Sequence, residues 1–326
     1  MKTQELHSID DLFFEALKAA LWADHLGSRV GGSREMLGVG FTLPRPWENV
    51  LQHPRRKLSY PYAIAETLWY WAREDSIDRL LPYAPSYTKF ADEDGIAHGA
   101  YGARIENNDK SSCRRGFNDQ LENVVHLLQN EPETRRAVVT IFDATRDNER
   151  LHASAKEPDV PCTLSWQFLV RRGRLNMVVT MRSEDIWLGL PYDIFAFTTI
   201  QMVVANELNL QCGAYHHQVG SFHLYDKNRA AAEECWERPT GETFLPPAHG
   251  LNFEHMDLLC DLEAELRDYR ITDPEELYTD KRFDCLPPYG QQLAAVLAAH
   301  WFPISNSNFP ECMKKGMERY VDSRRS

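Results

Sequence analysis

Two apolar, β-branched segments joined by a three-residue turn constrain the fold most strongly. They span residues 164–170 and 174–181, with Arg171-Arg172-Gly173 between them. This arrangement predicts a β-hairpin, and the run at 137–142 (AVVTIF) predicts another strand. Helical patterns cover five further segments: 9–25, 61–75, 116–130, 192–209 and 223–238. Because strands and helices do not alternate regularly, we predict an α+β fold in which one mixed sheet is backed by helices.

The chain beyond about residue 240 differs in character from the part before it. It contains several prolines, an acidic helical segment at 255–268 and an apolar one near 290–300. This region could be a lobe on the core or simply its last helices, and the sequence does not decide between them. No linker rich in Gly, Pro or Ser interrupts the chain. We therefore expect a single domain over 1–326 with a divergent C-terminal segment from about 240.

Charge and hydropathy argue against two broad classes of protein. The chain carries 36 basic and 48 acidic residues, a net charge of −12, whereas nucleic-acid binders depend on neutralising phosphates. The longest apolar stretches, such as 293–299, are far shorter than the roughly 20 residues that span a bilayer. Acidic residues recur through positions 1–26, which predicts an amphipathic helix and not a signal peptide. We expect a cytoplasmic protein that binds neither nucleic acid nor membrane.

The cysteines predict neither a disulfide framework nor a metal site. Seven are present, an odd number without any C-x-x-C pair: Cys113, Cys162, Cys212, Cys235, Cys260, Cys285 and Cys312. Cys162 stands apart because it follows Pro161 and opens a strand, with Arg182 downstream. A thiol near a guanidinium is biased toward the nucleophilic thiolate. The alternatives are a buried packing cysteine and a surface arginine.

Three segments in order resemble the thymidylate synthase family. The first is a P-C-x-x-x-x-Q-F strand at 161–168, the second an R-S-x-D-x-x-L-G-x-P-[FY]-[ND] segment at 182–193, and the third G-x-x-H-L-Y at 220–225. Upstream, residues 65–69 (AETLW), Tyr101-Gly102 and 133–136 (ETRR) are similar to other family segments. The match covers about residues 25–230. It implies a thymidylate-synthase-like fold that pairs sheet to sheet as an obligate homodimer.

The resemblance also implies a catalytic group and its chemistry. Cys162 would attack C6 of a pyrimidine nucleoside 5′-monophosphate, which makes C5 nucleophilic. C5 would then take a one-carbon unit from 5,10-methylenetetrahydrofolate, the reduced folate expected as co-substrate, without a metal. Glu66 would organise water and proton transfers at the base. Tyr101 and Asp193 complete the catalytic group.

Binding roles follow from the same resemblance. Arg182 and Ser183 would hold the phosphate with Arg29, for which Arg34 is a competitor, and Arg135 and Arg136 would reach it from the other subunit. The planar guanidinium suits this role because it binds phosphate oxygens in pairs. His223 and Tyr225 would bind the sugar 3′-hydroxyl. The remaining substrate-binding candidate is Gln167, and the folate-binding candidates are Asp185, Tyr87, Phe90 and Gly189.

Asp193 departs from the family pattern, because thymidylate synthases have Asn at this position. Uracil presents an N3–H donor and an O4 acceptor, which match an amide. Cytosine presents an N3 acceptor and an N4 amino donor, which match a protonated carboxyl or a carboxylate facing protonated N3. Asp193 therefore predicts a cytidylate, either CMP or dCMP, and resembles the cytidylate hydroxymethylases. The alternative is a drifted Asn in an enzyme that still uses dUMP.

Two further departures bear on the product. Tyr87 and Phe90 stand where the methyl-forming branch has tryptophans, and the last residues, 318–326, lack an apolar, proline-containing end. A looser lid would admit water to the reactive methylene at C5, which favours a hydroxymethyl product. A methyl-forming synthase is the runner-up hypothesis. A third hypothesis is an idle homologue that binds nucleotide or RNA, although retention of Cys162, Glu66 and His223 argues against it.

Overall fold

The structure is a computed structural model of the chain. The residues it describes are 4–28, 31–92, 94–106, 119–153, 159–238, 244 and 250–325.

Seven strands in the described residues form one mixed sheet. They are β1 Gln4–Glu5, β2 Asp24–Ser28, β3 Gly31–Leu43, β4 Val138–Thr140, β5 Thr163–Arg171, β6 Arg174–Asp185 and β7 Gln211–Tyr225. The order across the sheet is β1-β3-β7-β6-β5-β4, and β2 pairs with β3. The β6–β7 and β1–β3 pairs are parallel and the others antiparallel. The α+β prediction with a mixed sheet is confirmed.

The predicted hairpin is the β5–β6 pair, and its turn has the conformation that hairpins favour. Arg172 (φ 53°) and Gly173 (φ 69°) both adopt positive φ between the paired residues Arg171 and Arg174. Two consecutive positive φ values characterise a type I′ turn, whose twist matches that of the strands. The turn thus works without the usual Asn-Gly sequence.

Helices cover the inner face of the sheet and extend the core beyond it. They are α1 Ile9–Leu21, α2 Tyr60–Trp71, α3 Tyr101–Ile105, α4 Gln120–Asn130, α5 Ala144–Ala153, α6 Leu190–Glu207, α7 Arg229–Glu237, α8 Phe253–Arg267, α9 Pro274–Thr279, α10 Lys281–Cys285, α11 Pro288–Ala298 and α12 Glu311–Arg325. A 3₁₀ helix spans Pro85–Phe90. None of the described helices is long and apolar enough to cross a membrane.

Helices α2 and α6 are buried almost along their whole length and lie against each other. The Ser59 hydroxyl accepts from the Tyr62 amide and caps α2, so the helix begins at Tyr60 and carries Glu66 into the interior. Helix α6 begins directly after the β6 strand and the turn at 186–189, which brings Asp193 next to the end of that strand. The two helices therefore present their polar residues toward one end of β6.

The C-terminal helices pack on this core. Helices α8 and α11 contact α2, and their apolar residues, such as Leu259 and Leu297, belong to the same buried cluster as the sheet. Arg79 links the regions because its buried guanidinium pairs with Glu263 on α8 and with Glu74. Among the described residues, the segment beyond 250 thus packs its helices on the same core as the sheet.

Several predicted helices have different limits. The helix predicted over 61–75 ends at Trp71, shortly before Arg73 adopts a positive φ of 60°, and the one predicted over 116–130 begins at Gln120, where Asp119 is the N-cap.

Two more differ because part of each segment pairs as a strand. The helix predicted over 9–25 ends at Leu21 because residues 24–28 pair with β3 as a strand. The helix predicted over 223–238 begins only at Arg229, because His223, Leu224 and Tyr225 continue β7 and pair with β3. The helical spacing of the apolar residues in both segments is real, but hydrogen bonding to the neighbouring strand decides the conformation.

Candidate active site

Cys162 lies at the start of β5, beside the strand that carries Arg182. The Arg182 amide donates to the Cys162 carbonyl at 2.8 Å. The Arg182 guanidinium donates through Nε to the Pro161 carbonyl at 2.9 Å and through Nη2 to the Val160 carbonyl at 2.8 Å. The guanidinium thus fixes the backbone that leads into the cysteine and places its charge near the thiol.

The groups around Cys162 have opposite effects on the pKa of its thiol. Burial raises the pKa of the thiol, and the carboxyls of Asp193, Asp159 and Asp185 raise it further, whereas the Arg182 charge lowers it. The net pKa lies above that of a free thiol. Because the pKa is raised, most of the resting thiol is protonated near neutral pH, and a protonated thiol is a poor nucleophile.

We expect slow alkylation of resting Cys162, with a rate that rises as pH rises. Removing the Arg182 charge with Arg182→Met should slow alkylation about tenfold at a given pH, the effect of roughly one pKa unit. Arg182→Lys, which keeps the charge, is the matched control and should react more like the parent. Mass spectrometry of iodoacetamide-treated peptides measures the rate at Cys162 alone. Equal rates in both variants would contradict the electrostatic role.

Glu66 is buried on α2 within a ring of tyrosines. The Tyr62 hydroxyl donates to Glu66 Oε1 at 2.6 Å, and Tyr70 provides a second hydroxyl to the same carboxyl. Burial raises the Glu66 pKa to about 7, and these two hydrogen bonds hold it from rising further. A carboxyl with this pKa can both give and accept a proton near neutrality, as a proton-transfer group requires.

Asp193 on α6 is buried next to a second carboxyl, that of Glu184 on β6. The two side chains are hydrogen-bonded, and burial raises both pKa values well above their usual range. Glu66 raises the Asp193 pKa further because it is a nearby negative charge. Two adjacent buried carboxyls cannot both ionise at low cost, so the pair retains a proton.

Tyr87 and Tyr101 complete the cluster around the thiol. Both tyrosines are half-buried, burial of their hydroxyls raises their pKa values, and both lie near the carboxyl of Asp193 and the thiol of Cys162. Tyr87 packs edge-on against Trp69 at 5.6 Å and contacts Phe90 at 5.2 Å between ring centroids. Phe90 itself is 55% exposed. The structure thus brings Cys162, Glu66, Asp193, Tyr87 and Tyr101 together, with Phe90 at the edge.

Asp185 and Gly189 shape the turn between β6 and α6. Asp185 Oδ1 accepts from the amides of Trp187 at 2.8 Å and Leu188 at 3.1 Å. Its pKa is nevertheless raised, chiefly by burial. A Cβ at Gly189 would overlap Glu184 Oε1 and lie 3.4 Å from Asp193 Oδ2, so glycine leaves the space in which these two carboxyls approach.

The predicted sugar-binding residues lie at the end of β7. His223 is buried and its ring meets that of Tyr225 edge-on at 4.8 Å. His223 Nδ1 has no hydrogen-bond partner among the described residues, which leaves it available to a ligand. Ser183 is half-buried on the adjacent strand and pairs with Ser221. These residues line the same end of the sheet as Asp185, which pairs with His223 across β6 and β7.

Within the described part of the chain, Arg135, Arg136, Gln167 and Arg34 make their hydrogen bonds and ion pairs outside the cysteine cluster. Arg135 and Arg136 are exposed, and Arg136 pairs with Glu131. Gln167 Nε2 donates to the Arg135 carbonyl at 2.8 Å. Arg34 is on β3, where its guanidinium donates to the Ala23 carbonyl at 2.9 Å. The other candidate for that role, Arg29, lies outside the described residues.

Sequence reasoning missed Glu184 and the two residues behind it. His217 on β7 is fully buried with Nε2 3.7 Å from Glu184 Oε2, and Tyr215 Oη lies 2.6 Å from His217 Nδ1. Glu184 occupies the variable position of the R-S-x-D segment, so the family pattern gives it no role. The signal available was an acidic residue near the end of a strand whose preceding residues are largely apolar.

Comparison with known proteins identifies the family of the chain. The family profile described as thymidylate synthase matches residues 52–274, more than half of the sequence. The chain belongs to the thymidylate synthase family. Members of this family transfer a one-carbon unit, use methylenetetrahydrofolate as co-substrate and bind a pyrimidine nucleotide. This chain is accordingly a one-carbon transferase of nucleotide metabolism.

Individual relatives are distant in sequence. Thymidylate synthase of Bacillus atrophaeus is 26% identical over 221 residues, covering 63% of this chain and 94% of that protein. Thymidylate synthase 1 of Bacillus subtilis (strain 168) is also 26% identical, over 63% of this chain and 76% of the other. Deoxyuridylate hydroxymethyltransferase of Bacillus phage SP01 is 30% identical over 174 residues, covering 52% of this chain and 44% of that protein.

The thymidylate synthase fold itself is confirmed by a solved structure. Thermostable thymidylate synthase A from Bacillus subtilis superposes with a TM-score of 0.58 at 22% identity, covering 73% of this chain and 87% of the other. In the part of the chain that the structure describes, no group of three or more His, Cys, Asp or Glu side chains is placed to hold a metal ion.

Proposed function

We propose that this enzyme adds a hydroxymethyl group to C5 of a cytidine 5′-monophosphate, CMP or dCMP, using methylenetetrahydrofolate and water. The observation that carries the proposal is the state of Asp193. The family segment at 182–193 ends in an aspartate whose carboxyl is buried, hydrogen-bonded to Glu184 and raised in pKa. A protonated carboxyl offers one donor and one acceptor, and cytosine presents the matching N3 acceptor and N4 donor.

A neutral carboxyl can carry its proton on either oxygen, so we propose that the hydrogen bond with Glu184 holds the Asp193 proton on the oxygen that faces ring N3. A uridylate would fit this state poorly. Its N3–H would meet the carboxyl hydroxyl, and its O4 would meet the other carboxyl oxygen. Each mispaired buried polar group costs about 1–3 kcal/mol. The predicted discrimination is therefore strong even without any steric difference between the two bases.

The chemical step begins with addition of the Cys162 thiolate to C6. As the sulfur–carbon bond forms, the C5–C6 π pair moves toward C4 and N3, and N3 takes the Asp193 proton. The negative charge of the thiolate thus passes to the Asp193 carboxylate, and C5 becomes an enamine carbon that can attack an electrophile. Arg182 favours the start of this step because its charge lowers the Cys162 pKa.

Glu66 is suited to the proton transfers that follow at C5. Its pKa of about 7 allows it to accept the C5 proton, directly or through water, and to return it. Tyr62 and Tyr70 fix the carboxyl in one orientation. Reversal of the Cys162 addition then regenerates the aromatic ring and the Asp193 proton.

Residues around the thiol fit a folate ring. Tyr87 offers an aromatic ring near the cysteine, and Phe90 packs against it at a tilt of 55°. The half-buried Asp185 offers a carboxylate oxygen toward ring amino groups. Gly189 lies at the same turn. When bound, methylenetetrahydrofolate supplies the one-carbon unit at the oxidation level of formaldehyde.

Two observations support a hydroxymethyl product. The phage SP01 relative is named as a hydroxymethyltransferase, although of deoxyuridylate. Phe90 is more than half exposed, so the surface beside the reacting carbon is open to water. Capture of the C5 methylene by water forms a carbon–oxygen bond, whereas a methyl product needs a hydride and a site closed to water.

We further propose a cytoplasmic homodimer with one catalytic domain in each subunit. The exposed Arg135 and Arg136 are available to reach a phosphate in a partner, where they would join Arg182, Ser183 and Arg29. Gln167 supports them by binding the Arg135 carbonyl. His223 Nδ1 and Tyr225 would meet the sugar 3′-hydroxyl.

Release of tritium from C5-labelled nucleotides tests the proposed substrate. Thiol addition at C6 labilises the C5 hydrogen, so we expect release from labelled CMP or dCMP in the presence of methylenetetrahydrofolate. Labelled UMP and dUMP should release little, and Cys162→Ser should release none from any nucleotide. Release from dUMP alone would refute the cytidylate assignment.

A further inference from the structure

Three buried polar side chains lead away from Asp193 into the core. They are Glu184 on β6 and His217 and Tyr215 on β7, with exposed fractions of 2%, 0% and 0%. None of them takes part in the chemistry described above. Burying three polar groups in a row is costly unless each has a partner. Because the row ends at Asp193, we infer that these three residues act on the Asp193 carboxyl.

The protonation of Tyr215 determines which atoms donate and which accept along this row. Its phenol is buried, its pKa is raised well above normal, and its recorded partner is His217 Nδ1 at 2.6 Å. The phenol thus stays protonated and donates to Nδ1. Burial lowers the His217 pKa to about 3, so the ring is neutral and carries its proton on Nε2. That N–H faces Glu184.

The two carboxyl oxygens of Glu184 face different neighbours, His217 and Asp193. Oε2 lies 3.7 Å from His217 Nε2, and neither atom has a hydrogen-bond partner among the described residues. A shortening of a few tenths of an ångström would join them as donor and acceptor. Oε1 lies where Asp193 approaches, in the space that Gly189 leaves. With Oε2 accepting from the histidine, the Glu184 proton belongs on Oε1, directed at Asp193.

We propose that Glu184 is a positioning residue that remains a neutral acid and donates a hydrogen bond to Asp193. His217 and Tyr215 orient the Glu184 carboxyl, and the hydrogen bond persists while Asp193 exchanges its proton with N3 of the cytosine ring. This inference rests on the proposed function. Asp193 gives its proton to N3 as the Cys162 sulfur–C6 bond forms and recovers it when that bond breaks. Throughout the cycle, Glu184 keeps its own proton.

The hydrogen bond from Glu184 lowers the Asp193 pKa and so partly offsets the groups that raise it. Burial and the Glu66 charge raise the Asp193 pKa, and Tyr70, Tyr101 and the Cys162 thiol also face this cluster. Glu184 is the group that lowers it, because a donor stabilises the carboxylate. Without that donor Asp193 would hold its proton too tightly to pass it to a ring nitrogen.

Two substitutions distinguish the effect of the hydrogen-bond donor at position 184 from the effect of an ionisable carboxyl there. Glu184→Gln keeps the shape and an N–H donor but cannot ionise, whereas Glu184→Met keeps the volume without a donor. In the resting protein, ¹³C carboxyl resonances or infrared bands report each protonation state, with Asp193→Asn used for assignment. We expect Glu184 to be protonated at about pH 7. We expect the Asp193 pKa to rise by about one unit in Glu184→Met and to stay near the parent value in Glu184→Gln.

Kinetics give a second readout that a merely structural role would not move. Activity needs Asp193 protonated, so it falls as pH rises through the Asp193 pKa. We expect that descending limb at higher pH in Glu184→Met, with tritium release from cytidylate lowered about 10- to 100-fold. Glu184→Gln should release tritium within about threefold of the parent, with the limb unmoved.

The outcomes distinguish this inference from the proposed function. An ionised Glu184 in the resting protein, or a Glu184→Gln variant as impaired as Glu184→Met, would overturn the role of Glu184. A parent enzyme that releases tritium from uridylate alone would overturn the proposed function, and the resting-state spectra would still decide the protonation of Glu184. If Glu184→Met does not fold, the parent spectrum and the Glu184→Gln comparison suffice.

Discussion

Asp193→Asn is expected to change the preferred substrate from a cytidylate to a uridylate. An asparagine amide with its carbonyl toward N3–H and its NH₂ toward O4 matches uracil and mismatches both polar groups on the cytosine edge. In either orientation it cannot pass a proton to N3 of cytosine, as Asp193 does. With about 1–3 kcal/mol for each mispaired buried group, the ratio of kcat/KM for the two bases should shift roughly 100- to 10,000-fold. Tritium release from labelled dCMP and dUMP, measured in competition, gives that ratio directly.

A carboxyl far from the chemistry provides the control for this substitution. Asp10 on α1 is also buried, accepts from the Gln52 amide at 3.2 Å, and has a pKa raised by burial to about 7. Asp10→Asn makes the same chemical change and should leave the base preference unmoved. Unchanged cytidylate preference in Asp193→Asn would show that other groups read the base.

Glu66→Gln is expected to remove turnover while making stability less dependent on pH. Loss of the proton-transfer group should lower kcat about 100- to 10,000-fold. The folded-state pKa of about 7 lies above the unfolded value near 4.5. The stability that protonated Glu66 contributes is therefore fully present below about pH 4.5 and is lost as pH rises through 7. The 2.5-unit difference corresponds to about 3 kcal/mol.

Urea unfolding at about pH 5 and pH 8 measures this effect. The parent should lose more unfolding free energy between these two pH values than Glu66→Gln does. Other buried carboxyls, including Asp159, also have raised pKa values, so the variant should retain part of the pH dependence. Asp10→Asn should flatten the same curve but keep full turnover. If Glu66→Gln unfolds with the parent's pH dependence, Glu66 is ionised in the resting enzyme.

The sequence was sufficient for the parts of the fold and site that depend on local pattern. The β5–β6 hairpin follows from apolar composition and a short turn, and the motif residues Cys162, Glu66 and Asp193 are gathered as their family segments implied. Helix limits near β2 and β7 could not be predicted, because pairing with β3 is a contact between distant parts of the chain. Periodicity records which residues are apolar, not which strand lies beside them.

The carboxyl pair was beyond sequence reasoning for a similar reason. Glu184 and His217 are 33 positions apart, and only the β6–β7 pairing brings them together around Gly189 and Asp193. Asp193 alone suggests a base preference. Its burial beside a second carboxyl explains how the aspartate can hold the proton that this preference requires.

Product analysis in ¹⁸O-labelled water tests the central claim most directly. Purified enzyme is incubated with methylenetetrahydrofolate and an equal mixture of dCMP and dUMP, and then with CMP and UMP, and the nucleotides and folates are separated by mass. We predict a hydroxymethylated cytidylate that carries one ¹⁸O atom, together with tetrahydrofolate. A methylated nucleotide without ¹⁸O, accompanied by dihydrofolate, would contradict the account, as would modification of the uridylates alone.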